Sequence, residues 1–164
     1  MIPLVRVDNR LLHGQILETW VPRLRIDQVM VADDEAAASS LAQAAMTLCV
    51  PPELPVRIRR VAEVDYAGLA AGGAKVLVLV RDVAGLAAAR AAGLTPALAP
   101  KVNLGNLHFW PGRRLVTPSV FVSGEDLAAL RSLAAEGFEV EARAIPSESP
   151  TGLAEIERRY AAGH

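Results

Sequence analysis

The sequence predicts a single-domain α/β fold, an open, mostly parallel sheet with helices on both faces. Three observations predict it. Short runs rich in Val, Ile and Leu alternate with helix-length segments, the order expected of parallel strands joined by crossover helices. The run 76–80, Val-Leu-Val-Leu-Val, is apolar at every position, which suits a strand buried on both faces. The chain of 164 residues is 52% apolar, enough for one core and too much for disorder, and no repeat or linker divides it.

The elements follow in order. Residues 3–7 read as the first strand and 12–21 as a helix entered by a turn at Gly14. Residues 26–32 are the second strand. Asp33, Asp34 and Glu35 then place acids at the start of a helix reaching Leu48, where the helix dipole favours them, and Pro51-Pro52 stops it. Residues 56–61 alternate Val and Ile with Arg57, Arg59 and Arg60, the pattern of a strand near the sheet edge. Residues 63–71 are a short helix closed by Gly72-Gly73, and 83–92 a helix closed by Gly93. Residues 99–104 form a strand, after which Asn103-Leu104-Gly105-Asn106 has the composition of a turn. Pro118 marks 116–122 as an edge or irregular strand. Ser123-Gly124-Glu125-Asp126 is a capped helix start, with Gly137 as its stop. Residues 138–145 are the last strand and 151–161 a terminal helix.

Bulk properties exclude several functions. Net charge is −1, without the basic excess of a general nucleic-acid binder. All but Lys75 and Lys101 of the 17 basic residues are arginine, a compositional bias that makes arginine abundance weak evidence of function. The single cysteine, Cys49, forms no internal disulfide, which fits a reducing cytoplasm, and its neighbours Leu48 and Val50 suggest an inert core position. Arg6, Asp8 and Arg10 interrupt any signal peptide, and 76–80 is far too short to span a bilayer.

Ligands in such sheets sit beyond the carboxyl ends of the strands, which places Asp8–Gly14, Asp33-Asp34, Arg81-Asp82 and Asn103–His108 on one rim. The densest chemistry is at 6–16, Arg-Val-Asp-Asn-Arg-Leu-Leu-His-Gly-Gln-Ile. Histidine is a nucleophile available near neutral pH, and two arginines beside it at a strand end and helix start suit a transferable anion such as phosphate. Each residue also has a plainer reading. His13 could be a hydrogen-bonded structural histidine. Arg10 could form a salt bridge with Asp8 or Glu18. Arg6 and Asp8 share one strand face, and an Arg6–Asp8 structural pair is as good a reading as catalysis. Arg81-Asp82 could bind an anion or simply cap the next helix. Trp20 reads as core or partner contact, and His108 beside Phe109-Trp110 as part of an exposed contact surface. His164 is terminal and expected to lack ordered contacts.

The chain has no G-x-G-x-x-G after its first strand, no G-x-x-x-x-G-K-[ST], no zinc-like Cys/His spacing and no G-x-S-x-G. What remains is a histidine with arginine support and no nucleotide site, so no cofactor and no metal are expected.

Arg6-Val7-Asp8-Asn9-Arg10-Leu11-Leu12-His13-Gly14-Gln15 resembles the R-[IV]-D-[DN]-R-L-[IL]-H-G-Q signature of the IIB subunits of the mannose/fructose/sorbose family of the bacterial sugar phosphotransferase system. The resemblance spans the whole chain: Trp20 matches a tryptophan after the signature, 29–34 its second strand and acidic turn, 102–105 its V-N-[VIL]-G-G segment, and 123–127 and 138–143 its last helix and strand. Asn9 stands where aspartate is common and Asn106 where a second glycine is common. The resemblance implies a cytoplasmic carrier, transiently at the membrane, that takes a phosphoryl group from a phosphohistidine on a IIA protein. It would pass that group to a sugar bound by membrane IIC and IID subunits. His13 matches the phosphoacceptor and Arg10 the phosphate-stabilising arginine, with backbone N–H groups near Gly14 assisting; Asp8 is a possible orienter of the ring, in competition with pairing to an arginine. No IIA-like segment precedes the signature, so the donor is expected to be a separate chain. A regulatory phosphoacceptor without sugar transport, and a binding module that merely kept the fold, are the alternative readings.

Overall fold

A computed structural model describes residues 1–163, so the reading of His164 lies outside it. Seven strands form one sheet in the order β3-β2-β4-β1-β5-β8-β9. These are β1 (Leu4–Asp8), β2 (Gln28–Ala32), β3 (Val56–Arg59), β4 (Val76–Val80), β5 (Lys101–Asn106), β8 (Glu139–Ala142) and β9 (Thr151–Gly152). Every pairing is parallel except β8 with the two-residue β9. A separate antiparallel hairpin joins β6 (Arg114–Thr117) to β7 (Val120–Val122). The all-apolar β4 is buried throughout, and arginine-rich β3 lies at the edge, as their patterns predict.

The period of two divides β1 between two cores. Val5 and Val7 join Val78, Val80, Val102 and Leu104 under α5 (Val83–Ala91) and α6 (Gly124–Glu136), with α4 (Tyr66–Ala71) and α7 (Leu153–Ala162) on the same side. Leu4 faces the other way, into a core with Leu77, Leu79, Val29, Ile16 and Trp20. Helices therefore cover both faces. α6 begins with the expected capping box, in which the Ser123 and Asp126 side chains each accept the other's backbone N–H, and it ends at Gly137 in the left-handed conformation (φ 114°).

Several local expectations are corrected. The helix from Asp33 breaks into α2 (Asp34–Ala37) and α3 (Ser40–Thr47), because Ser39 accepts the Ala42 N–H and starts a new helix while Gln43 donates to the Ala36 and Ala37 carbonyls of the old one. α3 buries none of its residues, and Leu48 and Cys49 at its end are exposed, so Cys49 is a surface thiol and not a core residue. The expected strand over 116–122 is the β6–β7 hairpin, with Pro118 in its turn. Asn103–Asn106 is not a turn but the end of β5. The helix expected from Leu12 starts at Gly14, runs through a π-helical turn (Ile16–Trp20) and ends as α1 (Val21–Leu24). Among the described residues no helix is long and apolar enough to cross a membrane.

Candidate functional site

The carboxyl ends of β1 and β5 lie side by side, and the chain leaves β1 toward one sheet edge and β5 toward the other, so the crevice between them is a topological switch point. β1 delivers Asp8 to that crevice. Leu11 then adopts a left-handed backbone (φ 56°), uncommon for a residue with a Cβ, with its N–H bonded to the Asp8 carbonyl at 2.9 Å. That reversal returns His13 to Asp8, and its Nε2 lies 3.0 Å from Asp8 Oδ2.

Asp8 is fully buried and is the hub of the site. Oδ2 also accepts from Arg6 Nη2 at 3.1 Å, while Oδ1 accepts from the Arg10 backbone N–H at 2.9 Å and lies 3.4 Å from Arg10 Nε. Burial alone would push the Asp8 carboxyl up. The bonds from His13 and Arg10, with the charge of Arg6, outweigh it and hold the carboxyl below its ordinary range. An ionised carboxylate only accepts hydrogen bonds, so His13 Nε2 carries the hydrogen and the neutral ring has its lone pair on Nδ1. Among the described residues Nδ1 has no hydrogen-bond partner, and it is not buried, so it meets solvent; the side chain is 17% exposed. Among the described residues the N–H groups of Gly14 and Gln15, in the first helical turn, have no hydrogen-bond partner and are free to meet an anion.

Arg6, with no exposed surface, underpins this arrangement. Nη1 donates to Asn103 Oδ1 at 2.6 Å and to the Arg143 carbonyl at 3.1 Å, and the guanidinium lies over the Trp20 ring at 5.3 Å. Arg143 lies over the same ring at 5.3 Å, and Trp20 Nε1 donates to the Ala144 carbonyl. Burial lowers the Arg6 pKa, and Asp8 opposes that shift. Arg6 occupies the space beside Gly105: a Cβ there would stand 2.0 Å from Arg6 Cζ. The β1–β5 register slips at this point, Asp8 pairing with Asn106.

The other rim residues divide. Asn9 ties the site to its neighbours, donating to the Arg81 carbonyl at 2.7 Å and accepting the His108 N–H at 2.7 Å. Arg81 is held by Asp33 through two hydrogen bonds of 2.8 and 3.1 Å, which raises its pKa, and Asp82 caps α5 through the Gly85 N–H. Arg10 reaches Gln15 Oε1 at 3.3 Å; its carboxylate partner is Asp8, not Glu18. Leu11 and Leu12, which precede His13 in the chain, are buried at 2% and 3% and offer no surface to a partner. Among the described residues no group of three or more His, Cys, Asp or Glu is placed to hold a metal ion. The composition of Asn103–Asn106 reads as a turn and does not show that Asn103 and Gly105 face Arg6. The signal that places them is a polar residue between Val102 and Leu104 opposite Arg6 in the next strand, where two buried polar side chains on one face must pair.

The model of a phosphotransferase-system sorbose-subfamily IIB component matches residues 2–161. The N-acetylgalactosamine-specific phosphotransferase enzyme IIB component 2 of Escherichia coli is 29% identical over 153 residues, 93% of this chain and 96% of that protein. The fructose-specific EIIB component of Bacillus subtilis is 26% identical over 160 residues, 96% of each. The mannose-specific EIIAB component of Escherichia coli is 27% identical over 150 residues, and the chain spans 46% of its length. The crystal structure of the N-acetylgalactosamine-specific IIB component 1 from Escherichia coli superposes with a TM-score of 0.83 at 27% identity, covering 92% of this chain and 98% of that one.

Proposed function

The chain belongs to the sorbose subfamily of phosphotransferase-system IIB components, and on that premise we propose that it carries a phosphoryl group on His13 Nδ1. The group arrives from a phosphohistidine on a IIA protein and leaves for a sugar held by membrane IIC and IID subunits. The observation that carries this reading is the Nε2–Asp8 hydrogen bond at 3.0 Å, which leaves Nδ1 as the nucleophilic, solvent-facing nitrogen.

The Nδ1 lone pair attacks the phosphorus in line as the donor's N–P bond breaks, and that electron pair returns to the donor imidazole. Nε2 keeps its hydrogen, so the phosphorylated ring becomes cationic, and the buried Asp8 carboxylate balances it. Asp8 acts as a positioning residue, fixing both tautomer and ring plane. Arg10 and the Gly14 and Gln15 N–H groups stabilise the peripheral phosphoryl oxygens, where transition-state charge spreads. In the second step a sugar hydroxyl attacks the phosphorus, its proton passes to a base on the membrane subunits, and Nδ1 leaves with its electron pair. Relatives named for mannose, N-acetylgalactosamine and fructose have nearly equal identity to this chain, which agrees with a common carrier chemistry and a sugar chosen elsewhere.

Incubation with a radiolabelled phospho-IIA component tests the reading. An acid-labile, base-stable label on wild-type and His108→Ala protein, absent from His13→Ala, is the expected result. A label retained by His13→Ala and lost from His108→Ala would move the phosphoacceptor to His108.

A further inference from the structure

Two of the largest exposed apolar side chains, Phe109 at 63% and Trp110 at 69%, stand together on the loop after β5. The loop is built rather than loose. Phe109 packs edge-on against Phe121 of the hairpin with ring centres 5.7 Å apart, and Leu115, half exposed, is the cross-strand neighbour of Phe121. The Arg113 N–H bonds the Trp110 carbonyl at 2.9 Å and its guanidinium bonds the His108 carbonyl at 3.1 Å, closing the loop on itself. Rigid exposed aromatics lose little entropy on binding, and tryptophan is enriched among residues that dominate interface energies.

We propose that this loop, with Phe109 and Trp110 at its crest, is the anchor on which the phosphoryl-donor protein docks to reach His13. The inference rests on the reading of His13 as phosphoacceptor. Its support is continuity with that site. The His13 ring bonds Asp8, Asp8 adjoins Asn9, and Asn9 bonds the His108 N–H. With about 3.8 Å per Cα step and two short side chains, that path is about 17 Å as far as the His108 N–H, where the loop begins, and the direct distance is shorter. A standard interface covers roughly 800 Å² per partner, a disc of roughly 16 Å radius, so a donor seated over His13 is wide enough to reach the start of the loop. Arg10, 40% exposed and bonded through its backbone N–H to Asp8, offers a cation to the incoming phosphoryl group. A donor met by diffusion in every cycle is served by an anchor already formed in the free protein. The leucines beside His13, being buried, do not supply one.

The test pairs two phosphoryl donors. One is a radiolabelled phospho-IIA component, selected by screening several against the wild-type chain. The other is phosphoramidate, a small molecule whose P–N bond breaks with release of ammonia as the His13 bond forms and which needs no docking surface. The double variant Phe109→Ser, Trp110→Ser should keep its melting temperature and its labelling by phosphoramidate. Its second-order rate of transfer from phospho-IIA should fall about 10- to 30-fold. Transfer from phospho-IIA within twofold of wild type would overturn the proposal. So would a change of oligomeric state in the variant with transfer unchanged, which would assign the loop to self-association. Labelling of wild type by phosphoramidate but by no phospho-IIA component would leave the His13 chemistry standing and remove the docking role. Failure of both donors to label His13 would remove the reading beneath it.

Discussion

Gly105→Ala is a one-methyl change that should act through Arg6. The new Cβ would lie 2.0 Å from Arg6 Cζ and 2.3 and 2.4 Å from its two terminal nitrogens, where ordinary contact begins at 3.4 Å. The guanidinium must retreat by roughly 1.4 Å or β5 must move, and β5 is fixed in parallel register between β1 and β8. A retreat of that size takes the 2.6 Å bond to Asn103 and the 3.1 Å bond to Asp8 beyond hydrogen-bonding range. Asp8 is then a buried carboxylate without its main countercharge, a loss of about 3–5 kcal/mol. For a chain of this size that lowers the melting temperature by about 6–20 °C. Urea unfolding of wild type, Gly105→Ala, Arg6→Ala and the double variant measures it as a cycle. In the Arg6→Ala background the methyl meets no guanidinium, and Gly105→Ala should cost less than about 1 kcal/mol, giving a coupling of about 2–4 kcal/mol. A cost below about 1 kcal/mol in the wild-type background, or equal costs in both, would show that Gly105 is not there to admit Arg6.

Three further outcomes follow from the same geometry. The Asp8 carboxyl is held below its ordinary 3.8, so its ionised form stabilises the fold fully above that value, and the contribution disappears as pH falls through the lowered folded-state value. The stability gap between wild type and Asp8→Asn should therefore be constant near neutrality and close in acid below 3.8, as acid titration of urea midpoints will show; a gap that widens in acid would reverse the sign. Arg10 is 40% exposed and its side chain lies 3.4 Å from Asp8, so Arg10→Lys and Arg10→Ala should each change stability by less than about 1 kcal/mol. Phosphoryl transfer should still fall in the order wild type, Lys, Ala, because lysine keeps the charge and loses the planar fork; near-normal transfer by folded Arg10→Ala would take Arg10 out of the mechanism. Leu12→Asp places a carboxylate at a buried site and should unfold the protein or lower its melting point by several degrees, not merely slow transfer; a wild-type melting curve would contradict the packing.

Patterns with one dominant local cause were legible in the sequence. The apolar run of β4, the arginine-studded edge of β3 and the Ser123–Asp126 cap read correctly, because burial, alternation and capping are written in adjacent residues; the Arg6–Asp8 pair was one of the readings the sequence left open. What stayed hidden depends on residues far apart in the chain. Asn103–Asn106 has turn composition, yet β5 runs through it because Asn103 and Gly105 answer Arg6 in β1. The left-handed turn at Leu11 has no glycine or asparagine to announce it, and it buries Leu11 and Leu12 while returning His13 to Asp8. Cys49 lies between apolar neighbours but follows a helix with no fully buried residue, so sequence neighbours misstate its environment. The pairing of Asp8 with His13 was one of several open to it. The fold resolves the competition by giving Asp8 all three partners, with Arg6 and His13 sharing one oxygen and Arg10 taking the other.

Nitrogen-15 and phosphorus-31 NMR of the phosphorylated chain, labelled at histidine and charged by a phospho-IIA component, reads the attachment atom directly. Phosphorus coupled to Nδ1 of His13, with Nε2 still bearing its hydrogen, is the state expected from the 3.0 Å bond to a buried, ionised Asp8. Phosphorus on Nε2 of His13, or on either nitrogen of His108, would contradict it.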